Sequence, residues 1–253
     1  MNYICNMKRV CVVVFLISIF FLHGYALAAN NQQVDSIRRI VNNLPDTVRL
    51  PYLEKLVKET SSYKIYRDYI RIYREESDRQ QNRTHIENSL VRLGRYFYPD
   101  YPDSLRAVME ILNPLLIESH NYKEYADIQR INIFTLIRAG KNEDALVAIN
   151  DLREFSQRVG YMEGIEMADD NLGYFYFLNQ MPDDAEKLFL DLFDRMQKRN
   201  APLSKQIGIL VQLLSHMPTP EQRLVYLKQA EEYMEKFYKN LSRIFRYICM
   251  NIR

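Results

Sequence analysis

Apolar residues recur along the chain at intervals of three and four, the spacing typical of helices that bury one face. Ile37, Ile40, Val41 and Leu44 form the first such stripe. Similar stripes continue towards the C-terminus in segments of about 12 to 18 residues, separated by short polar connectors. No segment alternates apolar and polar residues for long enough to predict a strand. The pattern predicts an all-α protein built as one extended domain.

Prolines mark several of the expected helix boundaries. Pro45 should end the first stripe, and Pro51 suits the first turn of the next helix because its missing N–H is not needed there. A later stripe from Ile86 to Phe97 should end at Pro99.

The N-terminal segment 1–29 has the features of a secretory signal peptide. Lys8 and Arg9 precede an apolar run from Val10 to Leu22, and small residues close the segment at Ala28 and Ala29. A helix over this run would span about 20 Å, less than the roughly 30 Å of a bilayer core. The sequence therefore predicts residues 1–29 as a signal peptide, with an uncleaved anchor as the alternative, and export to the periplasm or cell envelope.

Loss of this segment leaves a neutral chain. The whole sequence holds 34 Lys and Arg against 32 Asp and Glu, and residues 1–29 contain two bases and no acid. A neutral chain has no general attraction to nucleic acid or anionic lipid. Cys5 and Cys11 leave with the segment, so Cys249 has no partner for an internal disulfide. We expect membrane contact only through the N-terminal segment or through a C-terminal region missing from the chain.

The clearest internal repeat lies at residues 169–189. It has Asp-x-x-Leu-Gly-x-x-Tyr at 169–176, followed by Ala-x-x-x-Phe at 185–189. Two antiparallel helices approach closely only where small residues lie at their crossing, with large residues filling the groove beside it. The predicted packing residues are Leu172, Gly173, Tyr176, Ala185 and Phe189.

This pattern resembles the tetratricopeptide repeat (TPR). Weaker copies extend the resemblance over residues 86–238, although the usual tryptophan is absent. The resemblance implies a right-handed α-solenoid of antiparallel helix pairs, with N-terminal helices at 30–81 and degenerate repeats at 82–238. The packing residues expected in the weaker copies are Leu93, Gly94, Phe97, Ala107, Ala145, Gly208 and Ala230.

An export signal followed by degenerate TPR helices resembles the extracytoplasmic N-terminal region of bacterial membrane-bound sensor kinases and regulators. In those proteins a membrane helix and a kinase or DNA-binding domain follow the repeats. No segment of this sequence resembles either. The resemblance therefore implies a sensor or scaffold surface for signal transduction, without signalling catalysis.

Stacked repeats form a concave surface, so the predicted function is binding of a protein or peptide partner. The contact positions expected on this surface are Asn132, Asp169, Asn171, Tyr174 and Gln212. A second candidate surface is an arginine ridge beside several tyrosines, which suits an anionic partner. Its residues are Arg67, Arg71 and Arg74. The alternative is a solvated helix face on which these arginines pair with Asp68, Glu75 and Glu76.

The sequence predicts no catalytic residue, metal ligand or cofactor. His85, His120 and His216 are far apart and share no metal-ligand spacing. Adjacent acids such as Asp169 and Asp170 diverge by about 100° on a helix. The alternative function is a helical hydrolase or lyase acting on a cell-envelope polymer, which would need two buried carboxyls within about 10 Å in a cleft.

Residues 239–253 predict a basic amphipathic C-terminal helix. Leu241, Ile244, Phe245, Ile248 and Ile252 form its apolar stripe, and no acid follows Glu235. Such a helix suits a membrane surface or the first helix of an incomplete repeat. We favour the incomplete repeat, because a solenoid normally ends in a polar capping helix. The chain would then be a truncated or unusually ended form of a longer protein.

Overall fold

The computed structural model describes residues 32–216 and 220–251. Every regular element in this part of the chain is an α-helix, which confirms the all-α class. The predicted signal peptide lies outside the described residues. Among the described helices, none combines the length and the apolar character needed to cross a bilayer.

Eleven helices follow one another through short connectors in the described ranges. They are α1 (residues 32–43), α2 (Asp46–Glu59), α3 (Tyr63–Arg79), α4 (Arg83–Phe97), α5 (Pro102–Glu118), α6 (Tyr122–Arg138), α7 (Asn142–Val159), α8 (Met162–Leu178), α9 (Pro182–Lys198), α10 (Leu203–His216) and α11 (Pro220–Asn251).

The chain divides into two compact units, one ending at Tyr96 and the other beginning at Phe97. In the first unit α2 packs against α3, and Leu53, Ile70 and Tyr73 are fully buried. The prediction that α2 starts at Pro51 is wrong, because the helix begins at Asp46 and contains Pro51. A proline is tolerated there because the carbonyl one turn earlier belongs to an exposed residue and can bond to water.

Helices α5 to α9 end in the same turn, which recurs every twenty positions. In each turn the backbone N–H that follows donates to a carbonyl five positions earlier, as from Asn121 to Leu116 and from Ala201 to Met196. This is the Schellman arrangement, which satisfies the last carbonyls of a helix through a left-handed residue. The left-handed residues, with φ between 55° and 70°, are His120, Gly140, Gly160, Gln180 and Asn200.

Helices α5, α7 and α9 share one buried register, which recurs every forty positions. Each presents a stripe of apolar residues, and full burial of one large apolar side chain is worth about 1.5–3 kcal/mol. Each of the three helices therefore buries the same face. Its residues are Leu105, Ala145 and Ala185, then Met109, Ile149 and Phe189, then Leu112, Leu152 and Leu192.

The packing role predicted for Ala107 is wrong. Ala107 is exposed, and Ile111, one turn later, is 54 % exposed. Because α5 begins at Pro102, its buried stripe starts at Leu105, two residues before the predicted position. The Ala-x-x-x-Ile pattern therefore lies on the solvent-exposed face of α5.

Consecutive helices pack from α5 through α11, and α8 additionally contacts α6 and α10. This order of contacts is consistent with an α-solenoid. It brings the even-numbered helices α6, α8 and α10 side by side in one layer.

Gly173 lies where α8 crosses α9. A Cβ at this position would stand 2.6 Å from Cε1 and from Cζ of Phe189, which is fully buried. Ala185 is fully buried in α9, whereas Leu172 and Tyr176 are half-buried beside the crossing. The close approach of these helices therefore depends on the missing side chain.

Gly164 performs a similar role that the sequence did not indicate. A Cβ there would collide with the Ser156 side chain, so α7 and α8 also cross closely. Elsewhere Gly94 and Ala230 are buried, and Leu93 and Phe97 are half-buried.

The packing role predicted for Gly208 is wrong. Gly208 is exposed, and a Cβ there would have no heavy atom within 4 Å. In the forty-position register the residue equivalent to Gly173 is Leu213, which is fully buried. Helix α10 thus packs through a large side chain where α8 uses a glycine.

Candidate binding groove between α6, α8 and α10

A cavity of about 230 Å³ lies where α6, α8 and α10 meet. Each of α8 and α10 contributes residues spaced three and four apart, so one face of each helix borders the cavity. The lining residues are Arg130 from α6; Glu163, Glu166, Met167 and Asp170 from α8; Met196 from α9; and Lys205, Gly208, Ile209 and Gln212 from α10.

Gly208 keeps one wall of this cavity open. Within a helix, glycine costs about 0.5–1 kcal/mol relative to alanine. No close helix contact compensates for this cost, because nothing lies within 4 Å of a Cβ at position 208. The effect of Gly208 is that no side chain occupies this part of the cavity wall.

Asp170 places a half-buried carboxyl in the cavity. Burial raises the pKa of this carboxyl, and the positive charge of Arg130 opposes part of the rise. Across the described residues, the structure records no hydrogen bond or ion pair to Asp170. The carboxyl is therefore available to a polar group that enters the cavity.

Glu166, one turn earlier on α8, is already satisfied. It is 3 % exposed, and its Oε1 and Oε2 accept hydrogen bonds from Nε and Nη2 of Arg199 at 2.5 and 2.6 Å. Arg199 also lies 3.8 Å from Glu163. Arg199 thus balances acidic charge at this end of the cavity, while Arg130 and Lys205 add positive charge.

Aromatic side chains lie one turn beyond two of the cavity-lining residues, on α6 and α8. The Arg130 guanidinium lies 5.5 Å from the ring centre of Phe134, one turn later on α6. Tyr174, one turn after Asp170, meets Phe134 edge to face at 5.3 Å. Charged groups therefore lie directly beside apolar surface in this groove.

The predicted partner contacts divide into two groups. Gln212 lines the cavity, and Asn132 and Tyr174 are half-buried on α6 and α8. The contacts predicted at Asp169 and Asn171 are wrong, because these residues are 6 % and 0 % exposed. Both face the interior, since one residue along a helix turns the side chain by about 100°.

Asp169 is instead the buried centre of an ion cluster with two partly exposed arginines, which we call the Asp169 clasp. Its Oδ1 accepts hydrogen bonds from Nε and Nη2 of Arg153 at 3.0 and 2.6 Å, and its Oδ2 accepts one from Nη2 of Arg195 at 2.5 Å. The clasp joins α7, α8 and α9. The two arginines lie 16 and 26 residues from Asp169 in the sequence, so no local motif predicts the cluster.

Two of the three arginines of the α3 ridge pair with acids of their own helix. Arg71 is exposed and lies 3.8 Å from Asp68 and 3.9 Å from Glu75, and Nε of Arg74 donates to Asp78 at 2.7 Å. Arg67 is exposed. These i,i+3 and i,i+4 pairs agree with the alternative of a solvated helix face.

Each of the two histidines with a described side chain contacts a tyrosine. In α4, Nδ1 of His85 lies 2.5 Å from the hydroxyl of Tyr73, whose pKa burial raises, so the phenol keeps its proton. His120 contacts Tyr122 at 2.7 Å, and the side chain of His216 lies outside the described residues. In the described ranges there is no group of three or more His, Cys, Asp or Glu placed to hold a metal ion.

Comparisons with known proteins concern the fold alone. No protein-family model matches the sequence, and no curated protein matches it. The structure is similar to the crystal structure of BtubC (BKLC) from P. vanneervenii, with a TM-score of 0.55 and 14 % sequence identity. The match covers 83 % of this chain and 90 % of that chain. It accords with the all-helical, solenoid-like architecture.

Proposed function

We propose that the chain is an exported TPR-like scaffold or sensor module that binds a protein or peptide segment in the groove between α6, α8 and α10, without catalysis. The repeats would form a right-handed α-solenoid of antiparallel helix pairs. The forty-position register and the recurring turns support this architecture. The observation that carries the binding role is the cavity left open at Gly208.

The size and lining of the cavity suit part of a peptide. Its 230 Å³ is below the range of about 300–1,000 Å³ common for small-molecule sites, so it takes one or two side chains. An apolar stem would contact Met167, Met196 and Ile209. A polar end would reach Asp170 or Arg130.

A peptide selection tests this proposal. A displayed library of random dodecapeptides is selected on the wild-type chain, and the enriched peptides are measured against Gly208→Leu. Leucine favours helix and would project into the cavity, so the variant should fold and bind at least about tenfold more weakly, a loss of about 1.4 kcal/mol.

The matched control is Val211→Leu, an exposed residue of the same helix that does not line the cavity. It should bind like the wild-type chain. Equal binding by Gly208→Leu would exclude this groove, and failure to enrich any peptide on the wild-type chain would remove the binding role.

One observation favours the hydrolase or lyase as a second candidate. Glu166 and Asp170 are one turn apart in the same cavity, and burial favours the protonated form of Asp170, as a general acid requires. The bidentate contact of Arg199 leaves Glu166 poorly placed as the second group. Release of soluble fragments from purified cell-envelope polymer, lost in Asp170→Asn, would support an enzyme.

The proposed export rests on the N-terminal segment 1–29. The chain recovered from the cell envelope should begin at residue 29 or 30, which N-terminal sequencing determines. A chain that begins at Met1 in the membrane fraction would instead indicate the uncleaved anchor.

A further inference from the structure

Among the described side chains of α11, one face packs against α10. Tyr226 and Ala230 are 7 % and 5 % exposed, and they share a core cluster with Leu210 and Leu213 of α10. At 32 residues, α11 is about 48 Å long, whereas α10 has 14 residues and spans about 21 Å. Much of α11 therefore extends past its neighbour.

A second face of α11 carries exposed apolar residues. Leu224, Leu227, Met234 and Tyr238 are 51, 39, 42 and 62 % exposed. With Glu231, they recur at intervals of 3, 4, 3 and 4, the a and d positions of a heptad. The sequence continues this spacing with Leu241, Phe245 and Ile248. We call this set of positions the α11 seam.

The seam is distinct from the face that contacts α10. At about 100° per residue, the two stripes lie roughly 110° apart around the helix. Single exposed apolar residues are ordinary, but a sustained heptad is the surface that one helix presents to another in a coiled coil. The seam therefore has the pattern of a surface that packs against another helix.

Charge along α11 favours a second copy in the opposite direction. Residues 221–235 contain four glutamates and two bases, whereas residues 236–251 contain four bases and no acid. Parallel pairing would place like charges together. Antiparallel pairing places the acidic half of each helix beside the basic half of the other, which is the complementary arrangement.

We propose that two copies of this chain associate through an antiparallel coiled coil formed by their α11 seams. A register one residue away from full overlap of two helices spanning 220–251 pairs position 224 with 248, 227 with 245, 231 with 241 and 234 with 238. Each pair joins an a position to a d position, as antiparallel packing requires. The interface is a closed two-fold contact separate from the groove, so it does not depend on the proposed function.

The first experiment measures oligomeric state. The full-length chain, expressed with its own N-terminal segment, should show the mass of a dimer by light scattering at micromolar concentration. The double variant Leu227→Glu, Met234→Glu should show the mass of a monomer with unchanged helical circular dichroism, because both side chains are exposed in a single chain.

The control is Val225→Glu, which is 54 % exposed on the same helix but outside the seam. It should remain dimeric. A monomeric wild-type chain, or a seam variant that remains dimeric, would overturn the proposal.

The second experiment measures direction. In Leu224→Cys, oxidation should join residue 224 to the native Cys249 of the other copy, as peptide mapping would show. Within one helix these positions are about 37 Å apart, and a disulfide needs Cα atoms within about 7 Å, so this bond must link two copies. A bond between the two residues at position 224 would indicate parallel pairing and contradict the proposed geometry.

Discussion

At the residue scale, a single methyl group should have opposite effects at two glycines of the second unit. A Cβ at Gly173 would stand 2.6 Å from the ring of buried Phe189, whereas a Cβ at Gly208 would meet nothing within 4 Å. Both residues lie inside helices, where alanine is normally favoured over glycine by about 0.5–1 kcal/mol. The effect of an added methyl group therefore differs between the two positions only because of the neighbouring side chains.

We predict that Gly173→Ala lowers the free energy of unfolding by about 1–3 kcal/mol, the usual cost of overpacking a core. Gly208→Ala should raise it by about 0.5–1 kcal/mol. Urea denaturation of both variants measures the difference. Adding Phe189→Leu to Gly173→Ala should recover part of the loss, relative to Phe189→Leu alone. Equal stability of the two alanine variants would show that α8 and α9 do not cross closely at Gly173.

Asp170 should make stability depend on pH. Burial raises its pKa above the ordinary 3.8, so the folded chain holds this proton more tightly than the unfolded chain. The neutral carboxyl therefore makes its full contribution to stability below about pH 4. This contribution is lost as the pH rises through the raised pKa.

Asp170→Asn should consequently be more stable than the wild-type chain at pH 7 and similar to it at pH 3, as measured by urea denaturation at both values. The control is Asp183→Asn, since Asp183 lies in the first turn of α9, where a negative charge is favourable. Removing that charge should not stabilise the chain at pH 7. An Asp170→Asn variant that gains nothing at pH 7 would contradict the argument.

The sequence predicts only some of the side chains that face the groove. The sequence predicts Gln212, which lines the cavity, and Tyr174, one turn after the cavity-lining Asp170, but it predicts the buried Asp169 in place of Asp170. One residue changes the direction of a helical side chain by about 100°. Only the positions of α7 and α9 decide which of the two aspartates is enclosed.

At the scale of the elements, three of the five recurring turns place a side chain in left-handed backbone. His120, Gln180 and Asn200 have φ of 56°, 61° and 55° at positions where Gly140 and Gly160 have 70° and 69°. A residue with a Cβ pays about 1–2 kcal/mol there, and asparagine pays least.

Gln180→Gly should therefore raise the free energy of unfolding by about 0.5–1 kcal/mol, since relief of strain exceeds the entropy that glycine adds to the unfolded chain. The reverse substitution Gly160→Ala should lower it by about 1 kcal/mol, because nothing lies within 4 Å of its Cβ and strain acts alone. Thermal unfolding compares the two. A loss of stability in Gln180→Gly would show that the turn does not depend on its left-handed residue.

These turns also explain which elements could be predicted. The three- and four-residue spacing of apolar positions revealed the helices, because burial of one face requires it. The regular spacing of the turns was not visible, because glycine marks only two of the five. Partial motifs without that spacing predict packing roles for Ala107 and Gly208, neither of which belongs to the buried forty-position register.

At the scale of the whole molecule, the Asp169 clasp links three consecutive helices of the second unit. Without the Asp169 carboxylate, the Arg153 and Arg195 guanidinium groups would lose the acceptor that both of them bind. Breaking a buried ion pair costs about 3–5 kcal/mol, and the partial exposure of both arginines reduces this figure. We therefore expect Asp169→Ala to lose about 2–4 kcal/mol.

Hydrogen exchange should then increase across α7, α8 and α9 together, because stacked helices are stabilised by their nearest neighbours. The control is Arg71→Ala, which removes only pairs that an exposed guanidinium makes within α3 and should change stability by about 0–1 kcal/mol. Faster exchange confined to α8 would mean that the clasp does not connect its neighbours.

The spacing of the turns limits how the length of such a chain can change. Loss of the segment between two equivalent turns, from Gly140 to Gln180, would leave every later helix with its buried stripe in the same direction. Loss of half that segment would put an even-numbered helix in the place of an odd-numbered helix, which has a different buried face. Loss of a single residue within a helix would rotate the following stripe by about 100° into water. Insertions and deletions in this fold should therefore be tolerated in whole pairs of helices.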